Sequence, residues 1–235
     1  MITAEWTETD PPRVGQLPRF GDKGVLHFFG TREFSWTDLE RMGPAARLRQ
    51  VHGNRILCVG DTPLSSSPLG EADALIGDRP GIVLTIASAD CAPLLFFNPR
   101  RRLIGAAHAG WRGTVQGIAP EVVKRFGELF GSLPQELRVA IGPCIGPCCY
   151  EVGAEVLDRL PRSLPDGILK RHRSGHGMLD LAALNRHQLL EAGVAPERIH
   201  SASLCTACHV ERFYSYRREG SLRASLISGI MLQNG

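Results

Sequence analysis

Residues 72–113 read ADALIGDRPGIVLTIASADCAPLLFFNPRRRLIGAAHAGWRG, and they contain four short apolar segments separated by glycine, proline and charged residues. The segments are Ala74–Ile76, Ile82–Ser88, Leu94–Phe97 and Leu103–Ala109. Apolar runs of this length bounded by Gly and Pro predict strands, and their nearly continuous apolar character predicts that both faces are covered. The run Arg100–Arg102, which follows Asn98-Pro99, predicts an exposed hairpin tip between the last two strands.

Beyond these strands the predicted elements do not alternate regularly. Apolar side chains recur at helical spacing over Val115–Phe130, Gly131 supplies a stop, and Pro120 predicts a kink or a late start of the helix. The remaining elements are a strand at Leu137–Ile141, helices at Val152–Leu160 and Leu181–Ala192, and a polar loop from Pro161 to Met178. This order disfavours a doubly wound parallel sheet and predicts an α+β fold with a mixed β-sheet core.

The length and composition indicate one globular domain. Of the 235 residues, 43% are hydrophobic and 22% charged, and a net charge of +3 is too small to indicate a nucleic-acid partner. We expect residues 1–23 to be a poorly ordered lead-in and residues 24–235 to form a single domain. The most apolar stretch, residues 82–97, is interrupted by Asp90 and Pro93, so no membrane-spanning helix is expected. The N-terminal residues do not resemble a signal peptide, so we expect a cytoplasmic protein.

The seven cysteines argue against a disulfide framework because their number is odd and a reducing compartment is expected. They are then core residues, nucleophiles or metal ligands. Two segments, Cys144–Cys149 and Cys205–His209, would form halves of a four-cysteine structural zinc site. The spacing and the Gly-Pro turns of the first segment disfavour that interpretation, and Cys208 is expected to be incidental.

Four segments combine glycine with histidine, cysteine or charged residues: QVHG at 50–53, SADC at 88–91, AHAGWRG at 107–113 and IGPCIGPCCYE at 141–151. In the third segment, Gly110 and Gly113 permit close approach of a ligand or of another backbone, and Arg112 offers a planar fork for an anion. The segment therefore predicts a phosphate or carboxylate pocket. The pattern alone does not select a metal ligand among the eight histidines, and Cys91 in apolar surroundings is commonly a small core residue.

Four long strings resemble the YfiH-like, laccase-domain family: ADALIGDRPGIVLTIASADCAPLLFFNP, IGAAHAGWRGTVQGI, AIGPCIGPCCYEVG and CTACHVERFYSYRREG. The resemblance runs from about Gln50 to Arg223 and implies a layered α/β/β/α sandwich of the cytotoxic necrotizing factor and YfiH-like type, here a single catalytic domain. Two features depart from the family pattern. The section before QVHG is short, with only His27–Phe34 matching the usual turn, and Leu222 stands where a glycine is usual.

The family binds zinc through one His of the QVHG segment, the Cys of the ADC segment and the His of the AHAGWRG segment. The resemblance therefore implies that His52, Cys91 and His108 are the metal ligands here. Two imidazoles and one thiolate suit zinc, with copper as the other possibility, and three protein ligands leave a fourth position open.

Members of the family have been described as multicopper polyphenol oxidases and are associated with purine nucleoside phosphorylase activity. The resemblance implies a zinc-dependent purine nucleoside phosphorylase acting on adenosine, inosine and S-methyl-5'-thioadenosine, with adenosine deaminase activity. The expected partners are a purine nucleoside and phosphate, with no nucleic acid and no membrane, for a monomer or small homo-oligomer. We expect catalytic roles for Cys91, His108, Asp90 and Arg112. The expected substrate-binding residues are Thr31, Arg32, Gln50, Arg112, Cys144 and Glu151.

Other functions use the same residue types. Cys91 activated by His108, with Asp90 orienting the imidazole, would make a cysteine-type hydrolase, although such a dyad has no need of His52. An amidase that edits cell-wall precursors, and an interaction module with a structural zinc ion, are further alternatives. Copper-dependent polyphenol oxidation is the least favoured, because a multicopper site is rich in histidine and the chain has no His-x-His pair.

Overall fold

Two six-stranded sheets packed face to face form the centre of the computed structural model, which describes residues 6–9, 13–60, 64, 67–172, 175–221 and 224–234. The strands are β1 (Thr7–Glu8), β2 (Val14–Gln16), β3 (Val25–Gly30), β4 (Ala45–Ala46), β5 (Ile56–Val59), β6 (Ala74–Gly77), β7 (Val83–Ser88), β8 (Ala92–Asn98), β9 (Leu103–Ala109), β10 (Arg138–Ile141), β11 (Glu151–Val152), β12 (Leu169–Arg171), β13 (Gly177–Leu179), β14 (Ile199–Ser201) and β15 (Leu226–Leu232). The α-helices are α1 (Trp36–Met42), α2 (Trp111–Val115), α3 (Ile118–Phe130), α4 (Ala154–Leu157), α5 (Leu181–Glu191) and α6 (Tyr216–Glu219).

Both large sheets mix parallel and antiparallel neighbours. The first sheet has the order β1-β2-β3-β15-β7-β4 and the second the order β14-β10-β8-β9-β6-β5, and a small third sheet has the order β11-β13-β12. In the second sheet, β8 and β9 form an antiparallel hairpin in which Ala92 faces Ala109 and Asn98 faces Leu103. The arginine run thus occupies the hairpin tip, as the sequence predicted.

Apolar faces join the layers. The space between the large sheets is filled by side chains from both, among them Leu84 and Ile230 from the first and Leu95 and Ile104 from the second. Helices α3 and α5 cover the outer face of the second sheet, and α1 packs on the outer face of the first. Every residue of β8 and β9 is buried. These layers confirm the α/β/β/α arrangement in a single domain with a mixed sheet core.

The helix predicted over Val115–Phe130 begins only at Ile118, the late start near Pro120 that the sequence predicted, and a break separates it from Val115, the last residue of α2. The break lies at Gly117, whose φ of 76° is a left-handed conformation that glycine adopts without strain. The second helix, α3, then begins at Ile118, so Pro120 lies in its first turn, where a missing backbone N–H costs no intrahelical hydrogen bond. Gly131, with φ 62°, ends α3 as predicted.

Three other boundaries differ from the sequence expectation. Strands β1 and β2 pair with each other before residue 24, and Leu17 and Phe20 are buried, so ordered structure begins inside the expected lead-in. The expected polar loop 161–178 contains β12 and the start of β13, and α4 is shorter than predicted. Leu222 and Arg223 lie outside the described residues. Among the described residues, no helix combines the length and the apolar character needed to cross a membrane.

Candidate metal centre

His52, Cys91 and His108 come together at one end of the second sheet. His108 lies in β9 opposite Pro93 of β8, and Cys91 is the residue that directly precedes β8. His52 reaches the same place from the loop before β5 with φ 60°, a left-handed conformation that is uncommon outside glycine. One donor atom from each of the three side chains lies within 4.8 Å of the others. The fold therefore brings together the ligand set that the family resemblance implied.

Asp73 stands behind this cluster with a fully buried carboxylate. Its Oδ1 atom lies 2.9 Å from Nδ1 of His108, which leaves Nε2 of that ring as the nitrogen available to a metal. The backbone N–H groups of His52 and Gly53 donate to the same carboxylate at 3.0 and 2.7 Å. One carboxylate thus orients one candidate ligand, His108 in β9, and the loop that carries another, His52.

Two glycines make room for the cluster. A Cβ atom on Gly110 would lie 2.7 Å from Sγ of Cys91 and 3.2 Å from Nδ1 of His52. A Cβ atom on Gly113 would lie 2.7 Å from the carbonyl oxygen of Gly53. Glycine is therefore required at position 110 because Cys91 and His52 approach it closely, and at position 113 because the loop that carries His52 does so. The sequence predicted this close approach at both glycines.

The charges of the cluster favour a thiolate. Burial raises the pKa of Cys91, but the hydrogen bonds and charges of His108 and His52 together outweigh this effect and lower the pKa from 9.0 to about 7. Burial lowers the pKa of His108, but Asp73 and Cys91 raise it to about 9. A thiolate next to imidazoles is the donor set that zinc prefers, and it is also what a cysteine nucleophile requires.

Arg112 and Asp90 flank the cluster in different ways. Arg112 is exposed in α2, with its guanidinium 4.3 Å from the centre of the Trp111 ring. Asp90 has φ 86°, and its carboxylate accepts hydrogen bonds from Oγ1 of Thr206 at 2.6 Å and from the backbone N–H of Arg217 at 2.7 Å. The Arg112 cation is open to a ligand, whereas both oxygens of Asp90 bind the protein itself.

The remaining predicted substrate-binding residues make contacts within the protein. Gln50 forms a pair of hydrogen bonds with the backbone of Ala87, at 2.7 and 2.8 Å. Thr31 is buried, and its Oγ1 atom donates to the carbonyl of Arg13 at 3.0 Å. Arg32 donates to the carbonyl of Val210 at 2.7 Å. The three side chains are therefore held by the protein itself, and none of them belongs to the group of His52, Cys91 and His108.

Cys144 and Glu151 also lie outside the cluster. Cys144 is buried, and burial raises its pKa strongly, so the thiol stays protonated. Glu151 is exposed, and its backbone carbonyl accepts a hydrogen bond from Arg217 at 2.9 Å.

Three residues near the cluster were not predicted from sequence: Asp73, Tyr150 and Arg217. A buried aspartate between Ala72 and Ala74 is unusual in an apolar strand region, and this was a signal for Asp73. Tyr150 is nearly buried, and burial together with the charges of Cys91 and Asp90 raises its pKa, so its hydroxyl keeps its proton. No local pattern marked Arg217, because its partners are distant in sequence.

A second cluster of potential metal ligands consists of Cys148, Cys149, Cys205 and Cys208, whose Sγ atoms all lie within 4.8 Å of one another. Cys208, which was expected to be incidental, therefore lies beside three other cysteines, because the fold joins the two cysteine segments. Cys144 is not a member of this cluster.

A cavity of about 510 Å³ lies beside the cysteine cluster. Its lining includes Arg19, Cys144, Arg186 and His200, and it does not include any of the three residues His52, Cys91 and His108. The cavity and the His/Cys site are thus separate. The donor chemistry of the His/Cys site, and not the size of the cavity, identifies the candidate centre.

The chain is similar to proteins named as purine nucleoside phosphorylases and to one named as an adenosine deaminase. The chain is 35% identical over 192 residues to a purine nucleoside phosphorylase of Bacteroides thetaiotaomicron, covering 78% of this chain and 71% of the relative. It is 40% identical over 161 residues to purine nucleoside phosphorylase YlmD of Geobacillus stearothermophilus, covering 67% of this chain and 59% of the relative. It is 32% identical over 191 residues to adenosine deaminase RL5 of an unknown prokaryotic organism, covering 77% and 72%.

Solved structures share the fold over nearly the whole chain. The structure of YlmD from Geobacillus stearothermophilus has a TM-score of 0.88 at 29% identity, covering 97% of this chain and 98% of that one. The hypothetical protein YfiH of Bacillus licheniformis has a TM-score of 0.87 at 30% identity, covering 94% and 97%. The sequence model of the family described as "Multi-copper polyphenol oxidoreductase laccase" matches residues 34–233. The chain therefore belongs to this family, which includes the YfiH-like and YlmD proteins.

Proposed function

We propose that this protein is a zinc-dependent purine nucleoside phosphorylase that acts on adenosine, inosine and S-methyl-5'-thioadenosine and also deaminates adenosine. The observation that carries the proposal is the cluster of His52, Cys91 and His108 with Asp73 behind it. The names of the relatives supply the reaction types, since phosphorylases and a deaminase both occur among them.

The three donors fit zinc. Two imidazole nitrogens and a thiolate sulfur are common zinc ligands, and a three-residue set is typical of catalytic sites. Zinc bound there would supply Lewis-acid chemistry at the reacting groups. Asp73 would orient His108 for this purpose, because a carboxylate on Nδ1 fixes the tautomer that presents Nε2.

Arg112 is the proposed phosphate-binding residue. Arg112 follows His108 by four positions in the chain. Its guanidinium is exposed and is held against the Trp111 ring. A planar guanidinium matches two phosphate oxygens, so it would position phosphate for attack on the anomeric carbon of the ribose. Phosphorolysis breaks the bond between that carbon and the purine nitrogen, and forms a bond to a phosphate oxygen.

Asp90 and Tyr150 are assigned different roles. The two carboxylate oxygens of Asp90 accept hydrogen bonds from Thr206 and Arg217, so we assign Asp90 a positioning role beside Cys91 instead of the catalytic role expected from sequence. Tyr150 retains its proton close to the charges of Cys91 and Asp90. Its hydroxyl is therefore the proposed neutral hydrogen-bond donor of the site.

The products formed from adenosine test the proposal. With phosphate present, phosphorolysis gives adenine and ribose 1-phosphate, whereas deamination gives inosine and ammonia and requires no phosphate. We expect both reactions, measured by chromatography of the purified protein incubated with and without phosphate. Adenosine, inosine and S-methyl-5'-thioadenosine that all stay unchanged under both conditions would contradict the proposed function.

A cysteine-type hydrolase is the second candidate, because the Cys91 thiolate beside a protonated His108 also describes a nucleophilic dyad. A muropeptide amidase would be one such enzyme. The two proposals differ in their response to metal removal. A chelator should abolish turnover by a zinc enzyme, and zinc should restore it, whereas a thiol hydrolase should survive chelation and be inactivated by iodoacetamide.

Copper-dependent polyphenol oxidation is less well supported despite the name of the family. Within the described part of the chain, two groups of three or more potential ligands occur, the His/Cys site and the four-cysteine cluster. Neither supplies the additional histidines that a multicopper centre needs.

A further inference from the structure

The four-cysteine cluster joins two loops that are distant in sequence. Cys148 and Cys149 lie in the loop between β10 and β11, and Cys205 and Cys208 lie in the segment after β14. The Sγ atom of Cys208 is 3.5 Å from that of Cys148 and 3.4 Å from that of Cys149. The four side chains therefore converge on one point.

The backbone holds the two loops in register. Cys144 and Cys205 form an isolated parallel bridge, in which the N–H of Cys144 donates to the carbonyl of Leu204 at 3.2 Å and the N–H of Thr206 donates to the carbonyl of Cys144 at 3.0 Å. In the first loop, the N–H of Cys149 donates to the carbonyl of Gly146 at 3.0 Å. These hydrogen bonds fix the two loops side by side where the four cysteines meet.

The spacing of the sulfur atoms suits a metal ion. A tetrahedral zinc site with Zn–S bonds of about 2.3 Å places its sulfur atoms roughly 3.8 Å apart. Two of the separations are 3.4 and 3.5 Å, and all six are at most 4.8 Å. Changes of less than about 1 Å would bring all six sulfur–sulfur separations to the tetrahedral value.

Backbone donors favour a thiolate at one of the four sulfur atoms, Sγ of Cys205. The backbone N–H of Gly146 donates to Sγ of Cys205 at 3.2 Å, and the backbone N–H of Cys208 is a second donor to that sulfur. Four thiolates around a divalent zinc ion carry a net charge of −2. Two cations lie against the same loops: Arg217 donates to the carbonyl of Cys149, and Arg218 to those of Thr206 and Ala207.

We propose that Cys148, Cys149, Cys205 and Cys208 bind a second zinc ion, in a closed site with a structural role. The two loops that it would join both hold Asp90: the N–H of Ile145 donates to its carbonyl at 2.9 Å, and Thr206 donates to its carboxylate at 2.6 Å. Because Asp90 directly precedes Cys91, the second ion would stabilise the position of a ligand of the first.

The number of zinc ions bound per chain tests this site. The variant Cys91→Ala removes a ligand of the His/Cys site, so any zinc that it still binds belongs to the cysteine cluster. Chains purified under reducing conditions, saturated with zinc and dialysed should hold two zinc ions, counted by native mass spectrometry. Cys91→Ala should hold one, and so should Cys149→Ser/Cys208→Ser. Cys58→Ser is the matched control, since Cys58 is exposed in β5, at the opposite edge of the second sheet from β14. It should hold two.

A second measurement does not depend on the double variant being folded. In Cys91→Ala, zinc should protect four thiols from alkylation by N-ethylmaleimide, and cobalt should bind with thiolate charge-transfer absorption at one ion per chain. A Cys91→Ala protein that binds no zinc, or cysteines whose alkylation zinc does not change, would overturn the second site. An intact mass lower by two hydrogens for each cysteine pair would instead indicate disulfides, and would also overturn it.

The two proposals fail in different ways. If the His/Cys site held no zinc, the unmodified protein and Cys91→Ala would each hold one ion. If only the cysteine cluster failed, the unmodified protein would hold one ion and Cys91→Ala would hold none.

Discussion

The Oδ1 atom of Asp73 lies 2.9 Å from Nδ1 of His108, and the backbone N–H of the same histidine donates to the carbonyl of Asp73 at 2.7 Å. Two contacts therefore fix this imidazole, one to its ring and one to its backbone. The Asp73 carboxylate also accepts the N–H groups of Val51, His52 and Gly53. A single buried carboxylate thus connects the strand that carries one proposed zinc ligand with the loop that carries another.

Asp73→Asn should weaken zinc binding at the His/Cys site about 10- to 100-fold, the usual effect of losing such a supporting group. The amide is neutral, and its NH₂ group cannot accept the backbone N–H groups that the carboxylate now accepts. Competition with a chromophoric chelator measures the affinity. Asp166→Asn changes an exposed aspartate in the same way and should leave the affinity unchanged. Equal zinc affinity in Asp73→Asn and the unmodified protein would show that the carboxylate does not support the metal.

Gly110→Ala should remove zinc from the His/Cys site while the chain stays folded. The added Cβ atom would lie 2.7 Å from Sγ of Cys91, closer than two such atoms pack, so the sulfur must move. The φ of Gly110 is −71°, so alanine fits the backbone and the effect is steric. Gly60→Ala is the control, because its Cβ atom would meet nothing within 4 Å. Zinc content by mass spectrometry and thermal unfolding distinguish local displacement of a ligand from general destabilisation.

Arg112→Ala should raise the KM for phosphate by on the order of 10- to 100-fold, the loss expected for a hydrogen bond to a charged group. Zinc content and the deamination of adenosine, which uses no phosphate, should not change. Steady-state rates at varied phosphate concentration give the KM. Arg162→Ala, which removes another exposed arginine, should have no effect. A parallel loss of phosphorolysis and deamination would assign Arg112 to the nucleoside or to the fold instead of to phosphate.

The sheet core could be predicted because its pattern is local. The apolar runs of β6 to β9, the turn at Asn98-Pro99 and the stop at Gly131 each follow from adjacent residues. The late start of α3 near Pro120 was among the predictions, but the break at Gly117 was not, because a glycine inside a helical pattern is compatible with a continuous helix until its φ is known.

The two sites could not be predicted from local patterns, because each is formed by residues that are distant in sequence. The family resemblance selected His52, Cys91 and His108, whereas their separation in the chain hid them from pattern analysis. The cysteine cluster shows the same limitation more strongly. Its two halves, Cys148–Cys149 and Cys205–Cys208, are joined by a backbone bridge at Cys144 and Cys205 that has no local signal. Spacing within each segment was therefore a poor guide to whether the segments meet.

His27 is a buried histidine at a distance in sequence from both sites. It lies in β3, its Nε2 atom accepts the backbone N–H of Leu17 at 3.1 Å, and its ring packs edge-on against Phe20. Burial lowers its pKa from 6.5 to about 4. The folded protein therefore keeps the imidazole neutral at pH values where an unfolded chain protonates it.

The free energy of unfolding should fall as the pH decreases from 6.5 to about 4, because only the unfolded state gains a proton at His27 in this window. The shift in the pKa of His27 corresponds to about 3 kcal/mol of the free energy of unfolding. This contribution is fully present above pH 6.5 and is lost as the pH falls to about 4. Urea unfolding of the protein and of His27→Gln, which cannot be protonated, measures the difference between their stabilities. That difference should narrow towards the acidic end, whereas His172→Gln, an exposed control, should follow the unmodified protein at every pH. Parallel curves for His27→Gln and the unmodified protein would mean that His27 is protonated in the folded state as readily as in the unfolded chain.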